Sequence, residues 1–251
     1  MIALKSKSEL ESMRQAGRIV ALALDAAQAA IRPGVTTGDL DRVVDEAIRG
    51  LGASPSFKGL YGFPASACVS VNEEIVHGIP GRRVLREGDI VSVDAGALYK
   101  GLHADGAWTY PVGEVALETR RLLEVTETAL MRGIAQVRPD GWLLDVTVAI
   151  QEYVEGQGMN LVRQYHGHGL GRKLHETPDV LNWVAKGSRP RNVRMKPGMT
   201  FTIEPMVIAG GWETYVKPDH WTVVAVDRAW SAHFEHSLAV TESGCEILTQ
   251  R

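Results

Sequence analysis

Apolar residues recur every three or four positions over residues 10–27, which predicts an amphipathic helix near the start of the chain. Ser8 and Glu11 have the spacing of a capping box at its beginning. Arg32-Pro33-Gly34 predicts its end, because proline and glycine stop helices. The same periodicity predicts a second helix over about residues 37–51.

A change to alternating apolar and polar residues predicts strands in the middle of the chain. Residues 89–94 alternate most clearly, and residues 102–112 are predicted to return beside them as a second strand. Cys68–Val71 is also predicted to be a strand, followed by a polar connection over residues 72–80. Two more helices are expected at about 117–137 and 144–156, and further strands at about 161–164, 200–208, 215–216, 222–226, 231–240 and 246–248.

The order of elements is helix, helix, strands, and then the same again. Arg32-Pro33 and Arg138-Pro139 mark corresponding positions of the two helical regions. We therefore predict one α+β domain over residues 1–251, with pseudo-repeat halves at about 8–113 and 117–248 and with helices covering an antiparallel sheet.

The formal net charge of −3 implies no general attraction to nucleic acid or to an anionic membrane. No apolar stretch approaches the roughly 20 residues of a membrane span, and no export signal is apparent. Cys68 and Cys245 make no disulfide framework and are compatible with a reducing compartment. The composition predicts a cytoplasmic protein.

Residues 165–176 contain three histidines and three glycines. Histidines separated by glycines are poor material for an apolar core. They suit a turn that directs imidazoles into a cleft, as metal ligands or as proton carriers.

Four carboxylates have the character of metal ligands. A hairpin that turns near Tyr99-Lys100 would place Asp94 and Asp105 opposite one another, and a cation between them would relieve their repulsion. Glu204 and Glu235 lie in largely apolar strands, where a bare carboxylate is costly to bury.

His168 completes a set of five groups with these carboxylates. Such a set suits Mn²⁺, Fe²⁺, Co²⁺ or Zn²⁺. Four carboxylates carry more negative charge than one divalent ion balances, so the set indicates two metal ions.

Five short motifs contain these residues: Val93-Asp-Ala-Gly96, Asp105-Gly106, residues 168–178, Thr202-Ile-Glu-Pro-Met206 and Phe234-Glu-His236. They resemble the metal motifs of type I methionine aminopeptidases, and the resemblance covers nearly the whole chain. It implies a pita-bread αβ fold, a pair of divalent metal cations and hydrolysis of the first peptide bond after an N-terminal methionine. A small second residue would be favoured.

The resemblance also implies a role for each ligand. Asp94 would bind one metal in bidentate fashion, and Asp105 and Glu235 would bridge the two metals. His168 and Glu204 would complete the other metal, with Glu204 also accepting and passing on a proton.

The resemblance assigns His77 and His175 to catalysis and to substrate contacts. The implied methionine pocket is formed by Phe63, Cys68, Trp221, Leu60 and Leu174. Leu60 stands where tyrosine is usual in the family and Leu174 where an aromatic residue is common. Both remain apolar, so the preference for methionine should persist in a pocket of altered shape.

Other readings remain open. His166 has no role in this scheme, and neither have His103, His220, His233 and His236; His236 should point to the opposite sheet face from Glu235. The basic segment 184–194 is expected to be a solvated loop.

An Xaa-Pro peptidase and a non-catalytic binding module could share the fold. The expected partners are peptides and nascent proteins that begin with methionine, with the ribosome as a further expectation, and the chain is expected to be a monomer.

Overall fold

Two pairs of helices pack on the strands over residues 2–250, the part of the chain that the computed structural model describes. The helices are α1 Lys7–Ala30, α2 Thr37–Gly50, α3 Leu117–Ile134 and α4 Leu143–Gly156. A 3₁₀ turn covers Leu60–Gly62.

The strands of the first half are β1 Ser54–Pro55, β2 Ala67–Val71, β3 Glu74–Val76, β4 Ile90–Tyr99 and β5 Leu102–Pro111. Those of the second half are β6 Asn160–Leu161, β7 Gly167–Gly169, β8 Glu176–Val180, β9 Thr200–Ile203, β10 Met206–Ile208, β11 Thr214–Val216, β12 Val223–Ala225, β13 Ser231–His233, β14 Glu235–Val240 and β15 Cys245–Ile247.

Helix α1 begins two residues earlier than its predicted capping box. Ser6 is the N-cap: its side chain accepts a hydrogen bond from the Glu9 amide, and the Glu9 carboxylate accepts one from the Ser6 amide. The prediction of Ser8 and Glu11 was wrong because the same spacing occurs twice in succession, and the chain is still extended at Ser6.

The main sheet is antiparallel and runs in the order β1-β4-β5-β14-β9-β7-β8, with β2 also paired to β4 and β15 to β14. Two small three-stranded sheets, β13-β10-β6 and β11-β12-β3, complete the described strands.

Several strand predictions need correction. The segment predicted as one strand over 200–208 is divided by Glu204-Pro205, and that over 231–240 is divided at Phe234. The connection predicted over 72–80 contains β3.

Each helical pair covers a separate apolar core. Residues of α1 and α2, such as Val20 and Val44, pack on β2, β4 and β5. Residues of α3 and α4, such as Leu130 and Ile150, pack with Phe201 of β9. This arrangement supports the predicted pseudo-repeat, which stays a prediction. Over residues 2–250, no helix is both long and apolar enough to cross a membrane.

Candidate metal centre and substrate pocket

Five neighbouring strands of the main sheet, β4, β5, β14, β9 and β7, bring the predicted ligands together. Each strand supplies one residue: Asp94 from β4, Asp105 from β5, Glu235 from the start of β14, Glu204 from the residue after β9, and His168 from β7. Residues distant in sequence thus meet across the centre of the sheet.

The hairpin of β4 and β5 sets the relation of the two aspartates. Lys100 and Gly101 turn the chain with positive φ angles of 49° and 79°, as a two-residue hairpin turn requires. Asp105 is paired with Gly96, and Asp94 with Ala107. The aspartates are therefore diagonal neighbours on one face rather than directly opposite, which corrects the prediction.

Glu235 joins them through the same register. It is paired with Ala107, the residue that also pairs with Asp94. His236 follows it on the opposite face, as predicted, where its Nδ1 lies 2.9 Å from the hydroxyl of Thr249.

Glu204 lies at the break between β9 and β10. Pro205 has no amide hydrogen to donate to a ladder, which accounts for the end of the strand. The Thr202 hydroxyl donates to Glu204 Oε1 at 3.1 Å, and the Asn182 side chain donates to the Glu204 carbonyl at 2.9 Å. These bonds hold Glu204 at the edge of the cavity.

The glycines beside His168 allow close packing of β7. A Cβ on Gly167 would overlap the Thr202 carbonyl, and one on Gly169 would overlap the Thr177 carbonyl. His168 thus lies on a strand clamped between β8 and β9, not in the predicted turn. The turn follows it, over residues 170–175.

The His168 ring is oriented with Nε2 toward the carboxylates. Its Nδ1 lies 3.0 Å from the Gly169 carbonyl oxygen, which can only accept, so Nδ1 carries the proton. The Nε2 lone pair then faces the carboxylates, 3.9 Å from Asp105 Oδ2 and 3.7 Å from Glu204 Oε1. Burial lowers the pKa of His168 to about 4, which keeps the ring neutral.

The carboxylates lack compensating cations among the described residues. Burial raises the pKa of Asp105 to about 7. Burial and the neighbouring acids raise the pKa values of Asp94, Glu204 and Glu235 well above the usual range. Within residues 2–250, Asp94 Oδ1 and Glu235 Oε1 are buried without a hydrogen-bond partner.

These features fit a divalent cation. Ligand atoms of Asp105, His168 and Glu235 all lie within 4.8 Å of one another. Hard carboxylate oxygens and one imidazole nitrogen form a donor set for the divalent metals proposed from the sequence.

All twelve residues predicted for the site line one cavity of about 590 Å³. The five predicted ligands are among its lining residues. Phe63, Cys68 and Leu174 form an apolar cluster with Phe57, against which Leu60 and Trp221 pack. The rings of Phe63 and Trp221 meet edge to face with centroids 5.1 Å apart. The individual roles of these residues stay predictions.

His77 and His175 both line the cavity. The His77 ring meets Tyr165 edge to face at 5.3 Å, and burial lowers its pKa to about 4. The His175 ring lies 4.4 Å from that of His168 and is stacked with Tyr61 at 6.0 Å.

Comparison with known families matches residues 11–242 to metallopeptidase family M24. A relative over the full length of both chains is methionine aminopeptidase 1 of Bacillus subtilis, with 49% identity over 250 residues. The chain belongs to family M24, among its methionine aminopeptidases. The family resemblance predicted from the motifs is thus confirmed.

Solved structures of this family support the fold. The crystal structure of methionine aminopeptidase from Thermotoga maritima superposes with a TM-score of 0.96 and 47% identity, covering all of both chains. The prolidase from Pyrococcus furiosus is similar in fold alone, with a TM-score of 0.81 and 23% identity, and the match covers 65% of that chain. The predicted pita-bread α+β fold is confirmed.

Several residues that line the cavity were given no site role from the sequence, among them Tyr61, His166 and His233. His166 Nδ1 lies 2.9 Å from the Gly167 carbonyl oxygen. His233 was given no role, yet it is buried and lies two residues before Glu235, so the period of two in strands could have identified it. Burial lowers the pKa of His233 to about 3.

Proposed function

We propose that this chain removes the N-terminal methionine from peptides and nascent proteins, with a preference for a small second residue. The observation that carries the proposal is the juxtaposition of the five-ligand metal centre with the apolar cluster in one cavity. A free amino terminus and its scissile bond would lie at the metal centre, while the methionine side chain occupies the apolar cluster.

Two divalent cations, Co²⁺, Mn²⁺, Fe²⁺ or Zn²⁺, are the proposed cofactors. Asp94, Asp105, His168, Glu204 and Glu235 would hold these ions. When bound, such ions lower the pKa of water and polarise a carbonyl group. The unpartnered oxygens of Asp94 and Glu235 support this assignment.

Glu204 is the proposed carrier of the proton. Burial and the nearby Asp105 raise the pKa of its carboxyl group in the metal-free fold. In the proposed reaction this carboxylate would accept a proton as a general base. The same carboxyl group can then donate that proton to the amine that leaves.

His175 and His77 are proposed to donate hydrogen bonds to the substrate. Burial lowers the pKa of each imidazole, so each ring is neutral near pH 7 and keeps one N–H donor. His175 lies beside His168 and would stabilise the developing oxyanion. His77 would contact the amide beyond the scissile bond.

The apolar cluster is the proposed determinant of methionine selectivity. Leu174 and Phe63 are buried, and Leu60 is partly buried beside them. Thioether side chains adapt well to such irregular apolar surfaces. Leucine at positions 60 and 174 keeps the lining apolar while changing its shape.

Nascent chains at the ribosome are the proposed physiological substrates, and the chain is proposed to act as a monomer. The side chains of Lys186, Arg189 and Arg191 are exposed in the basic loop. Sedimentation of the purified protein with and without ribosomes tests both statements.

The deciding experiment is hydrolysis of Met-Ala-Ser by metal-free protein supplied separately with Mn²⁺, Fe²⁺, Co²⁺ or Zn²⁺. Activity should require metal and should be abolished by a chelator. Activity that survives thorough metal removal, or that survives Asp94→Asn, would refute the mechanism.

Two comparisons separate the alternative functions. An Xaa-Pro peptidase needs proline after the scissile bond and would spare Met-Ala, whereas the proposed enzyme cleaves Met-Ala. A non-catalytic binding module would cleave neither peptide.

A further inference from the structure

His233 ends strand β13 with its side chain 2% exposed. Its Nε2 atom has no hydrogen-bond partner among residues 2–250. Polar atoms in such positions are normally paired, and each exception needs an explanation. The Nε2 atom is therefore expected to form a hydrogen bond with a group that lies in or beside the cavity.

The backbone holds His233 rigidly. The Thr109 hydroxyl accepts a hydrogen bond from the His233 amide and donates one to its carbonyl, both at 2.8 Å. His233 is also paired with Met206 of β10. The ring is thus presented to the cavity from a fixed position.

The carboxyl group of Glu204 lies beside the ring. Nε2 lies 3.8 Å from Glu204 Oε2, longer than a formed hydrogen bond. Hydrogen bonds of catalytic groups are often long in free enzymes and shorten in the substrate complex.

The two oxygens of Glu204 have different neighbours. Oε1 accepts from Thr202 and lies 3.7 Å from His168 Nε2. Oε2 faces His233. A donor at Oε2 would fix the rotation of the carboxyl group and would keep Oε1 directed toward His168.

We infer that His233 is a positioning residue, whose Nε2–H donates to Glu204 Oε2 and thereby orients Oε1 for its proposed work. This inference rests on the proposed function, in which Glu204 is both a metal ligand and the carrier of the proton. The candidate ion cluster of Asp105, His168 and Glu235 does not include His233, which favours a donor over a sixth ligand.

The first test measures the tautomer of His233 in the intact protein. Long-range ¹⁵N–¹H correlation of the imidazole should place the proton on Nε2, and Glu204→Leu should shift that nitrogen signal. A proton on Nδ1 alone, or an unchanged signal in Glu204→Leu, would overturn the inference.

The second test compares two replacements of His233. His233→Met removes the donor but fills the space, whereas His233→Gln keeps an N–H donor. For Met-Ala-Ser, kcat of the methionine variant should fall about tenfold to a hundredfold with KM changed less than about threefold. The glutamine variant should recover kcat to within about threefold of the wild type. Equal losses in both variants would contradict a donor role.

The visible spectrum of bound Co²⁺ gives a readout that does not depend on activity. His233→Met should alter the bands because Glu204 turns, and His233→Gln should restore them. His220→Asn is the control: His220 is exposed in the turn between β11 and β12, with a φ of 66° that asparagine tolerates, and neither spectrum nor kcat should change.

Failure of the inference can be told from failure of the proposed function. Wild-type protein that binds Co²⁺ but does not hydrolyse Met-Ala-Ser refutes the function, while the tautomer and the Co²⁺ spectra still decide the role of His233. If His233→Met does not fold, the glutamine variant and the wild-type imidazole signals provide the decision.

Discussion

Asp94 and Asp105 are diagonal neighbours on one face of the β4–β5 hairpin, because Gly96 stands opposite Asp105. This face is buried, and no cation among the described residues pairs with either carboxylate. Both pKa values are raised, chiefly by burial. The metal-free fold therefore carries an electrostatic cost that bound cations would remove.

The first prediction concerns stability against pH in metal-free protein. The pKa of Asp105 rises from 3.8 to about 7 on folding, so its contribution to stability is lost as pH rises between those values. Asp105→Asn removes the ionising group. The Tm of this variant relative to wild type should increase by about 5 °C or more between pH 4 and pH 8. Calorimetry of both proteins in the presence of a chelator measures this difference.

Glu127→Gln on α3 is the control for this comparison, because Glu127 is exposed. Its Tm difference from wild type should not vary with pH in this range. If the Tm of Asp105→Asn relative to wild type stays constant or falls as pH rises, burial of the Asp105 carboxylate carries no electrostatic cost and the prediction is wrong. With metal added, the wild type should have the higher Tm, since Asp105→Asn weakens the proposed metal site.

Leu174 tests the proposed methionine pocket. Its side chain is buried in the apolar cluster, so Leu174→Ala removes contact with the substrate side chain. KM for Met-Ala-Ser should rise about tenfold, as expected for lost apolar contacts. Leu174→Met conserves volume and should stay within about threefold. Leu117→Ala, at a residue 79% exposed, should have no effect. An unchanged KM in Leu174→Ala would place the pocket elsewhere.

Local periodicity was sufficient to predict the long helices, whereas the grouping of the five proposed ligands also depended on the resemblance of their motifs to a known family. Alternation over residues 89–94 and a two-residue turn determine the face on which Asp94 and Asp105 lie. The face of His236 followed from the same period. These signals are local, so the sequence contains them.

The errors arose where contacts distant in sequence decide the outcome. The register that places Gly96 opposite Asp105 depends on the exact turn residues. Strand β7 is short and rich in glycine, and its place between β8 and β9 depends on pairing with both. The period of two relates His233 to Glu235, but its relation to Glu204 joins separate strands and is not visible in the sequence.

Gly167 tests the packing that holds His168. A Cβ at Gly167 would overlap the Thr202 carbonyl in the neighbouring strand. Gly167→Ala should lower the free energy of unfolding by about 1–3 kcal/mol and weaken metal binding, measured by denaturation and by metal titration. Gly156→Ala, at the end of α4 with open space around it, is the matched control. Equal behaviour of the two variants would show that β7 tolerates displacement.

The last prediction concerns the tie between the N-terminal segment and the loop that carries His175. Lys5 Nζ lies 2.9 Å from Glu176 Oε2, and the Lys5 side chain is only 5% exposed. The Lys5 amide also donates to the Gly198 carbonyl at 2.7 Å. Glu176 in turn accepts from the Lys173 amide at 3.0 Å, which shapes the turn before His175.

Lys5→Met should therefore affect both stability and catalysis. Removing one partner of a largely buried ion pair leaves the other charge uncompensated, so the free energy of unfolding should fall by about 3 kcal/mol. Since Glu176 adjoins His175, the fold-decrease in kcat should be larger than the fold-change in KM. Lys7→Met, at the exposed first residue of α1, is the control. A loss of stability with unchanged kcat would show that the ion pair supports the fold without positioning His175.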